Sequence, residues 1–258
     1  MTTEFFKYQG AGNDFIMIDD RNLTFTAKQE QIASLCDRRF GIGADGLILL
    51  RNDPGYDFRM VYFNADGAEG SMCGNGGRCA VRFARDLGMV GDFTRFIAVD
   101  GEHTAELNDQ VVRLGMSDVN GIETLEDHYF TNTGSPHYVA FVTSVDETDV
   151  VGIGKAVRYG PVYGPEGGTN VNFAQVIEKD YLKVRTYERG VEDETLACGT
   201  GVTACALVAA ECFGWEGPVA VRVPGGMLSV EFIRGTEPGN FRDIYLTGPA
   251  EFVFSGAV

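Results

Sequence analysis

Two short stretches hold the residues best suited to chemistry. Residues 70–84 read GSMCGNGGRCAVRFA and residues 195–209 read TLACGTGVTACALVA, so each sets a cysteine before Gly-x-Gly and an apolar run. A cysteine opening a helix lies beside N–H groups that lack intrahelical partners, at the positive end of the helix dipole, and its thiolate is stabilised there. An ordinary thiol is about 3% ionised at pH 7, and half-ionisation takes roughly 2 kcal/mol. A favourable, partly buried helix terminus supplies up to about 2 kcal/mol. The pattern therefore predicts reactive thiols at Cys73 and Cys198. It also predicts an anion nest from the N–H groups of Gly74, Asn75, Gly199 and Thr200, suited to a carboxylate.

Two such thiols on opposite sides of one ligand suit proton transfer at a carbon centre. One thiolate removes a proton from one face, the other thiol donates to the opposite face, and the stereocentre inverts. A cysteine hydrolase needs one nucleophile and one base and gains nothing from a second copy. The other four cysteines, Cys36, Cys79, Cys205 and Cys212, lie within helical patterns and read as buried small hydrophobes. No CxxC pair occurs, so neither structural zinc nor another metal is expected. GIGADG (41–46) has the letters of a dinucleotide fingerprint but follows CDRRF and enters the strand-like LILLR, the wrong context for nicotinamide or flavin. No cofactor is expected.

The elements that must position these thiols are mostly strands. Period-two alternation runs through DFIMID, GLILLR, DFRMVYFN, QVVRLGM, HYVAFVTS, YLKVRTYE and AVRVPGGMLSVEFI. A capping box at Thr26–Gln29 predicts a helix through Cys36, a short helix is expected over Gly152–Tyr159, and one follows each Cys-Gly-x-Gly. In the helix after Cys73, the residues Cys79, Ala80, Phe83, Ala84 and Leu87 mark a core face, and Arg78, Arg82 and Arg85 a wet one. The helix after Cys198 is apolar nearly all round and should be deeply buried.

FRMVYFNADGAEGSMCGNG (58–76) and KVRTYERGVEDETLACGTG (183–201) share one order of strand, acidic loop, Cys-Gly-x-Gly and helix. Their cysteines lie 125 positions apart (198 − 73), about half of the 258 residues, which points to an internal duplication. The boundary falls near Met116–Gly121. It gives an N-terminal half of residues 1–116 carrying Cys73 and a C-terminal half of residues 117–248 carrying Cys198. The final strand pattern, about 249–258, can fold onto either half and is assigned to the first. With 21 basic and 37 acidic residues the net charge is −16, which disfavours nucleic acid and anionic membranes as partners. No apolar run approaches the roughly 20 residues of a membrane span, and no leader pattern is seen, so a cytoplasmic location is expected.

The sequence resembles the diaminopimelate epimerase family almost end to end. KYQGAGNDFIMID, GIGADGL, FNADGAEGSMCGNGGRC, GSPHYV, GGTNVNF, YERGVEDETLACGTGVTA and TGPAEFVFSG carry the likeness. Proline racemase-like relatives typically have histidine where this chain has Asn75, which favours the epimerase branch. The resemblance implies an α+β fold of two pseudo-symmetric domains, each a curved mixed β-sheet wrapped around a central α-helix. It implies interconversion of L,L- and meso-diaminopimelate without cofactor, for lysine and cell-wall precursor synthesis, by a homodimer. Cys73 and Cys198 carry over as the proton-transfer residues, with His137 and Glu188 assisting. Asn13, Asn64, Asn170, Glu188 and Arg189 would bind the substrate, while the Gly74, Asn75, Gly199 and Thr200 amides take the carboxylate at the reacting carbon.

Each assistant has a plainer reading beside this one. His137 alone could be a satisfied polar residue, Glu188 a solvated acid, and Arg189 the partner of Glu192 or Asp193 in a surface ion pair. Glu188 lies ten positions before Cys198 (198 − 188), and Asn64 nine before Cys73 (73 − 64), so the duplication treats them alike. Two positions depart from the family, where many members have glutamine for Gly46 and asparagine for Ser135. Three other functions fit parts of the pattern. They are a cofactor-independent racemase of another amino acid such as histidine, a noncatalytic amino-acid-binding protein, and a redox protein cycling a Cys73–Cys198 disulfide. The candidate distal-carboxylate residues argue against the first, and the paired thiols against the second; thiol counting with and without reductant tests the third.

Overall fold

A computed structural model describes residues 2–70, 72–108 and 111–258. The chain divides into two compact units, one formed by Met1–Leu114 with Gly248–Val258 and one by Gly115–Thr247.

The first unit is a mixed sheet of β1 (Glu4–Gly10), β2 (Asn13–Asp19), β3 (Gly46–Arg51), β4 (Phe58–Asn64), β5 (Phe93–Ala98), β6 (Gly101–Leu107) and β7 (Val111–Gly115), bordered on the β1 side by a returning strand, Glu251–Ala257. From the returning strand to β7, successive pairs run antiparallel, antiparallel, parallel, antiparallel, parallel, antiparallel, antiparallel. A parallel pair needs a crossover. Here α1 (Gln29–Cys36) joins β2 to β3, and α2 (Gly74–Asp86) lies between β4 and β5. The apolar run of β3 is buried along almost its whole length because helices cover both faces. Leu47 and Leu49 pack with Ile32 and Cys36 of α1, while Ile48 points at Gly76 of α2.

The second unit contains β8 (Val119–Asn120), β9 (Glu123–Thr124), β10 (Tyr129–Asn132), β11 (Pro136–Phe141), β12 (Asn170–Glu178), β13 (Tyr181–Glu188), β14 (Asp193–Thr195), β15 (Val219–Val223), β16 (Gly226–Arg234) and β17 (Asn240–Pro249). From β9 through β10, β11, β12, β13, β15 and β16 to β17 the pairs again run antiparallel, antiparallel, parallel, antiparallel, parallel, antiparallel, antiparallel. Helices α3 (Val150–Arg158) and α4 (Gly199–Phe213) hold the two crossover positions. The two halves thus share one topology, and α2 and α4 are equivalent elements. Residues Val202 to Ala210 of α4 are all fully buried, as an all-apolar helix requires. The helix ends at Gly214, whose φ of 66° a side chain would disfavour.

Several local expectations need correction. Helix α1 starts at Gln29 rather than at a Thr26 cap, because Gln31 Oε1 accepts from the Lys28 N–H and closes the helix two residues later. Helix α3 starts at Val150, before Gly152, because Asp149 caps it by accepting the Gly152 N–H at 2.9 Å. Arg78 is not on a wet face but fully buried. Its guanidinium is taken up by Gly74 O, Asn75 Oδ1 and Pro249 O. Cys212 is exposed rather than buried, because the last turn of α4 emerges into solvent beside Phe213. Cys36, Cys79 and Cys205 are core residues. Burial pushes the Cys36 thiol up to about 11 and that of Cys79 to about 12, which makes both unreactive.

Candidate active site

Cys73 and Cys198 occupy the same place in the two halves. Each is the N-cap residue, one position earlier than a cysteine inside the first turn, with extended backbone at φ −104°, ψ 128° and φ −113°, ψ 106°. Each carbonyl accepts the first helical hydrogen bond, from Gly77 N–H at 2.7 Å and Val202 N–H at 2.9 Å. The amides of Gly74, Asn75, Gly199 and Thr200 thereby fall in the opening turns, where N–H groups have no helical acceptor.

In the first unit, Asn13 opens β2 and its Oδ1 accepts from Cys73 Sγ at 3.7 Å and from Asn75 Nδ2 at 3.2 Å. The Asn13 amide is oriented from behind by Asp45, whose Oδ2 accepts from Asn13 Nδ2 and whose Oδ1 accepts from Arg38 at 2.6 Å. Arg38 also grips Asp14 at 2.7 Å, and buried Lys7 meets Asp14 at 2.8 Å. Burial alone would raise the Asp14 carboxyl, but the hydrogen bonds from Arg38 and Lys7 hold it down at about 2. Asn64 ends β4 with its Nδ2 against Gly70, in a turn closed by the Ala68 carbonyl. Gly46 is required where it stands, because a Cβ there would lie 2.5 Å from the Tyr62 ring and from Phe63 O. The Tyr62 ring fills the space into which a longer side chain at position 46 would grow.

In the second unit, His137 on β11 is fully buried. Burial, with the nearby Arg189 cation adding to it, pushes the imidazole down to about 3, so it is neutral at physiological pH. Its Nδ1 lies 3.1 Å from Asn172 Nδ2 and its Nε2 lies 3.0 Å from Ser135 Oγ. Asn172 also donates to Tyr138 O at 2.8 Å and accepts from Thr186 Oγ1 at 2.9 Å. Ser135 Oγ continues to Thr200 Oγ1 at 3.3 Å, and Thr200 Oγ1 to Cys198 Sγ at 3.6 Å. Gly201 permits the approach, since a Cβ there would meet Asn172 Oδ1 at 2.4 Å and Cys198 Sγ at 3.3 Å.

Asn170 donates to Pro136 O at 3.0 Å and to Ser135 Oγ at 3.2 Å, and accepts from the Arg189 N–H at 2.9 Å, which ties β12 to the end of β13. Glu188, the last residue of β13, accepts from Thr195 Oγ1 at 2.8 Å. Glu192 pairs with Arg158 at 3.0 Å instead of Arg189, whose side chain is exposed. Of the residues singled out in the sequence, Asn13, Cys73 and Asn75 meet directly in one half, and His137 and Asn170 connect through Ser135 to Thr200 and Cys198 in the other. Asn64, Glu188 and Arg189 stand at strand ends. Sequence reasoning passed over Asn172, Asp45 and the side chain of Thr200, and it marked Ser135 only as a departure from the family pattern. The alternation Asn170-Val171-Asn172 was a usable signal, because it puts both amides on one face of β12.

A duplicated mixed sheet, with an equivalent crossover helix packed in each half, defines the α+β fold class. A Bacillus anthracis phenazine biosynthesis protein of the PhzF family superposes with a TM-score of 0.79 at 14% identity, covering 100% of this chain and 99% of that one. A probable proline racemase from Agrobacterium radiobacter K84 superposes with a TM-score of 0.70 at 16% identity, covering 99% and 92%. The chain belongs to the diaminopimelate epimerase family, which it matches over residues 5–119 and 129–253. Diaminopimelate epimerase of Flavobacterium psychrophilum is 48% identical over 257 residues, 98% of this chain and 99% of that one. The protein of the same name from Aquifex aeolicus is 41% identical over 277 aligned positions, 98% of this chain and 96% of that one.

Proposed function

We propose that this chain interconverts L,L-diaminopimelate and meso-diaminopimelate by proton transfer at an α-carbon, with Cys73 and Cys198 as the two proton-transfer groups. The protein is an isomerase by its family. The observation that carries the mechanism is one residue type, cysteine, at the N-cap of equivalent helices in two halves with the same strand pairing.

In this reading the α-carboxylate of the substrate binds to the N–H groups of Gly74, Asn75, Gly199 and Thr200. One cysteine, as thiolate, takes the α-proton and becomes a thiol. The carbanion charge spreads onto the carboxylate, where the helix N–H groups stabilise it. The other cysteine, as thiol, gives its proton to the opposite face and becomes the thiolate, so no proton is gained or lost overall. The reverse reaction exchanges the roles. His137 and Glu188 support the thiols, and Asn13, Asn64, Asn170 and Arg189 bind the remainder of the substrate, with Arg189 matched to the distal carboxylate by its two-pronged guanidinium. A homodimeric, cytoplasmic enzyme of lysine and cell-wall precursor synthesis goes with this reading.

The test is incubation of reduced protein with L,L-diaminopimelate in deuterium oxide without added cofactor, following isomer composition and α-deuteration together. The expected result is the meso isomer carrying deuterium at the inverted carbon. Folded, reduced protein giving neither inversion nor exchange would overturn the proposal.

A further inference from the structure

The hydrogen bonds behind Cys198 have a direction, and it can be read link by link. Tyr138 O can only accept, so the group facing it at 2.8 Å is the Asn172 NH2. The same NH2 therefore donates to His137 Nδ1, at 3.1 Å, and the hydrogen of the neutral ring is on Nε2. Nε2–H donates to Ser135 Oγ at 3.0 Å, and Asn170 Nδ2, oriented by Pro136 O, donates to the same oxygen at 3.2 Å. With both lone pairs of Ser135 Oγ engaged, its own hydrogen points to Thr200 Oγ1 at 3.3 Å. Thr200 then accepts from serine and directs its hydrogen at Cys198 Sγ, 3.6 Å away.

We infer that Ser135 is a positioning residue that connects His137 to Cys198 in a one-way donor chain ending on the Cys198 sulfur, and that this chain holds Cys198 as a thiolate. A donor favours the ionised form of its partner. The arrangement is not a general property of the Cys-Gly-x-Gly frame, because the equivalent contact in the first half is an acceptor, Asn13 Oδ1, facing Cys73. The ionisable groups on these elements include His137 and Tyr138 on β11, Lys183, Arg185, Tyr187 and Glu188 on β13, with Glu188 accepting from Thr195, and Cys205 on α4; just past β13, the Arg189 cation is felt at His137. None of these is removed by changing Ser135. The inference rests on the proposed role of Cys198, but its test needs no turnover.

The experiment is the rate of iodoacetamide alkylation at Cys198 and Cys73 against pH, read separately by peptide mass spectrometry, for wild type, Ser135→Ala, Ser135→Thr and Thr200→Val. Comparing midpoints rather than rates removes differences in access. In wild type the Cys198 midpoint should lie below the ordinary thiol value of about 8.5. Ser135→Ala should raise it by about one pH unit, a tenfold slower alkylation on the acid side, with the Cys73 midpoint unmoved. Ser135→Thr, which keeps the hydroxyl, should restore it, and Thr200→Val should reproduce the alanine effect if Ser135→Ala does not fold. A Cys198 midpoint at or above the ordinary value in wild type, or one unmoved in a folded Ser135→Ala or Thr200→Val variant, would overturn the inference. A protein with the expected midpoints that fails to epimerise diaminopimelate would count against the proposed function alone.

Discussion

Acidification provides a quantitative test of the buried histidine. His137 is fully enclosed and its imidazole is depressed from the ordinary 6.5 to about 3, mainly by burial. The folded chain holds this side chain neutral while the unfolded chain protonates it, so its contribution to stability is present above pH 6.5 and is lost as the pH falls toward 3. Two-state linkage with these values gives a loss of about 2 kcal/mol between about pH 7.5 and 5, and about 3 kcal/mol by about pH 4. Carboxylates enter at lower pH. Asp14 is held at about 2 against burial by Arg38 and Lys7, and Glu192 at about 2 by the Gly190 N–H, Tyr159 and Arg158, so their contributions fade only below about pH 4.5. Urea unfolding of wild type and His137→Gln at several values between pH 7.5 and 5 separates the histidine from everything else. The variant will be less stable overall, since it alters a buried polar network, but its stability should fall by about 2 kcal/mol less than that of wild type across this window. Equal pH slopes for the two proteins would refute the assignment of a buried, neutral His137.

The remaining predictions concern the helix openings. Cys73→Ala and Cys198→Ala should each abolish epimerisation, measured by chiral chromatography, whereas Cys79→Ala should retain kcat and lose roughly 1–2 kcal/mol of stability as a small buried cavity, measured by urea unfolding. Gly201→Ala should lose about 1–2 kcal/mol and most activity, because the new methyl meets Asn172 Oδ1 at 2.4 Å and the gain in helix propensity offsets only part of the strain. Gly76→Ala, the equivalent change in α2, meets the movable end of Ile48 at 3.1 Å and otherwise makes ordinary contacts with Met60 and Phe15 at 3.5 Å, so it should be milder on both counts; the reverse ranking would count against the reading of the two glycines.

The strands and the duplicated Cys-Gly-x-Gly frames were legible because both are local. Asn64 and Glu188, paired by their distance from the cysteines, stand as the last residues of the equivalent strands β4 and β13. What escaped the sequence depends on distant chain segments. Arg78 has the spacing of a solvent-facing residue, yet one of the groups that compensates its burial is Pro249 O, 171 positions away. Burial lowers its pKa from the ordinary arginine value, which is the electrostatic mark of that environment. Likewise, no pattern around GSPHYV tells that the hydroxyl of Ser135 meets Thr200, 65 positions later. Gly46 looks like an omission from the family pattern until the Tyr62 ring is seen to cover it. Periodicity identifies faces, but it does not identify what a face will meet.

The returning strand imposes an order on biosynthesis. β1 receives its outer partner only when residues 251–257 are available, with Glu4 opposite Ala257 and Gln9 opposite Glu251, while the second unit is one uninterrupted segment. On the ribosome the earlier half therefore waits with an open hydrogen-bonding edge on β1 until synthesis is nearly finished. At translation speeds of about 5–20 residues per second the wait between residues 114 and 251 lasts roughly 7–27 s. That interval is long enough for chaperone capture or strand exchange between neighbouring nascent chains. A message truncated before codon 251 would leave the edge open permanently, a hazard to proteostasis apart from any loss of catalysis.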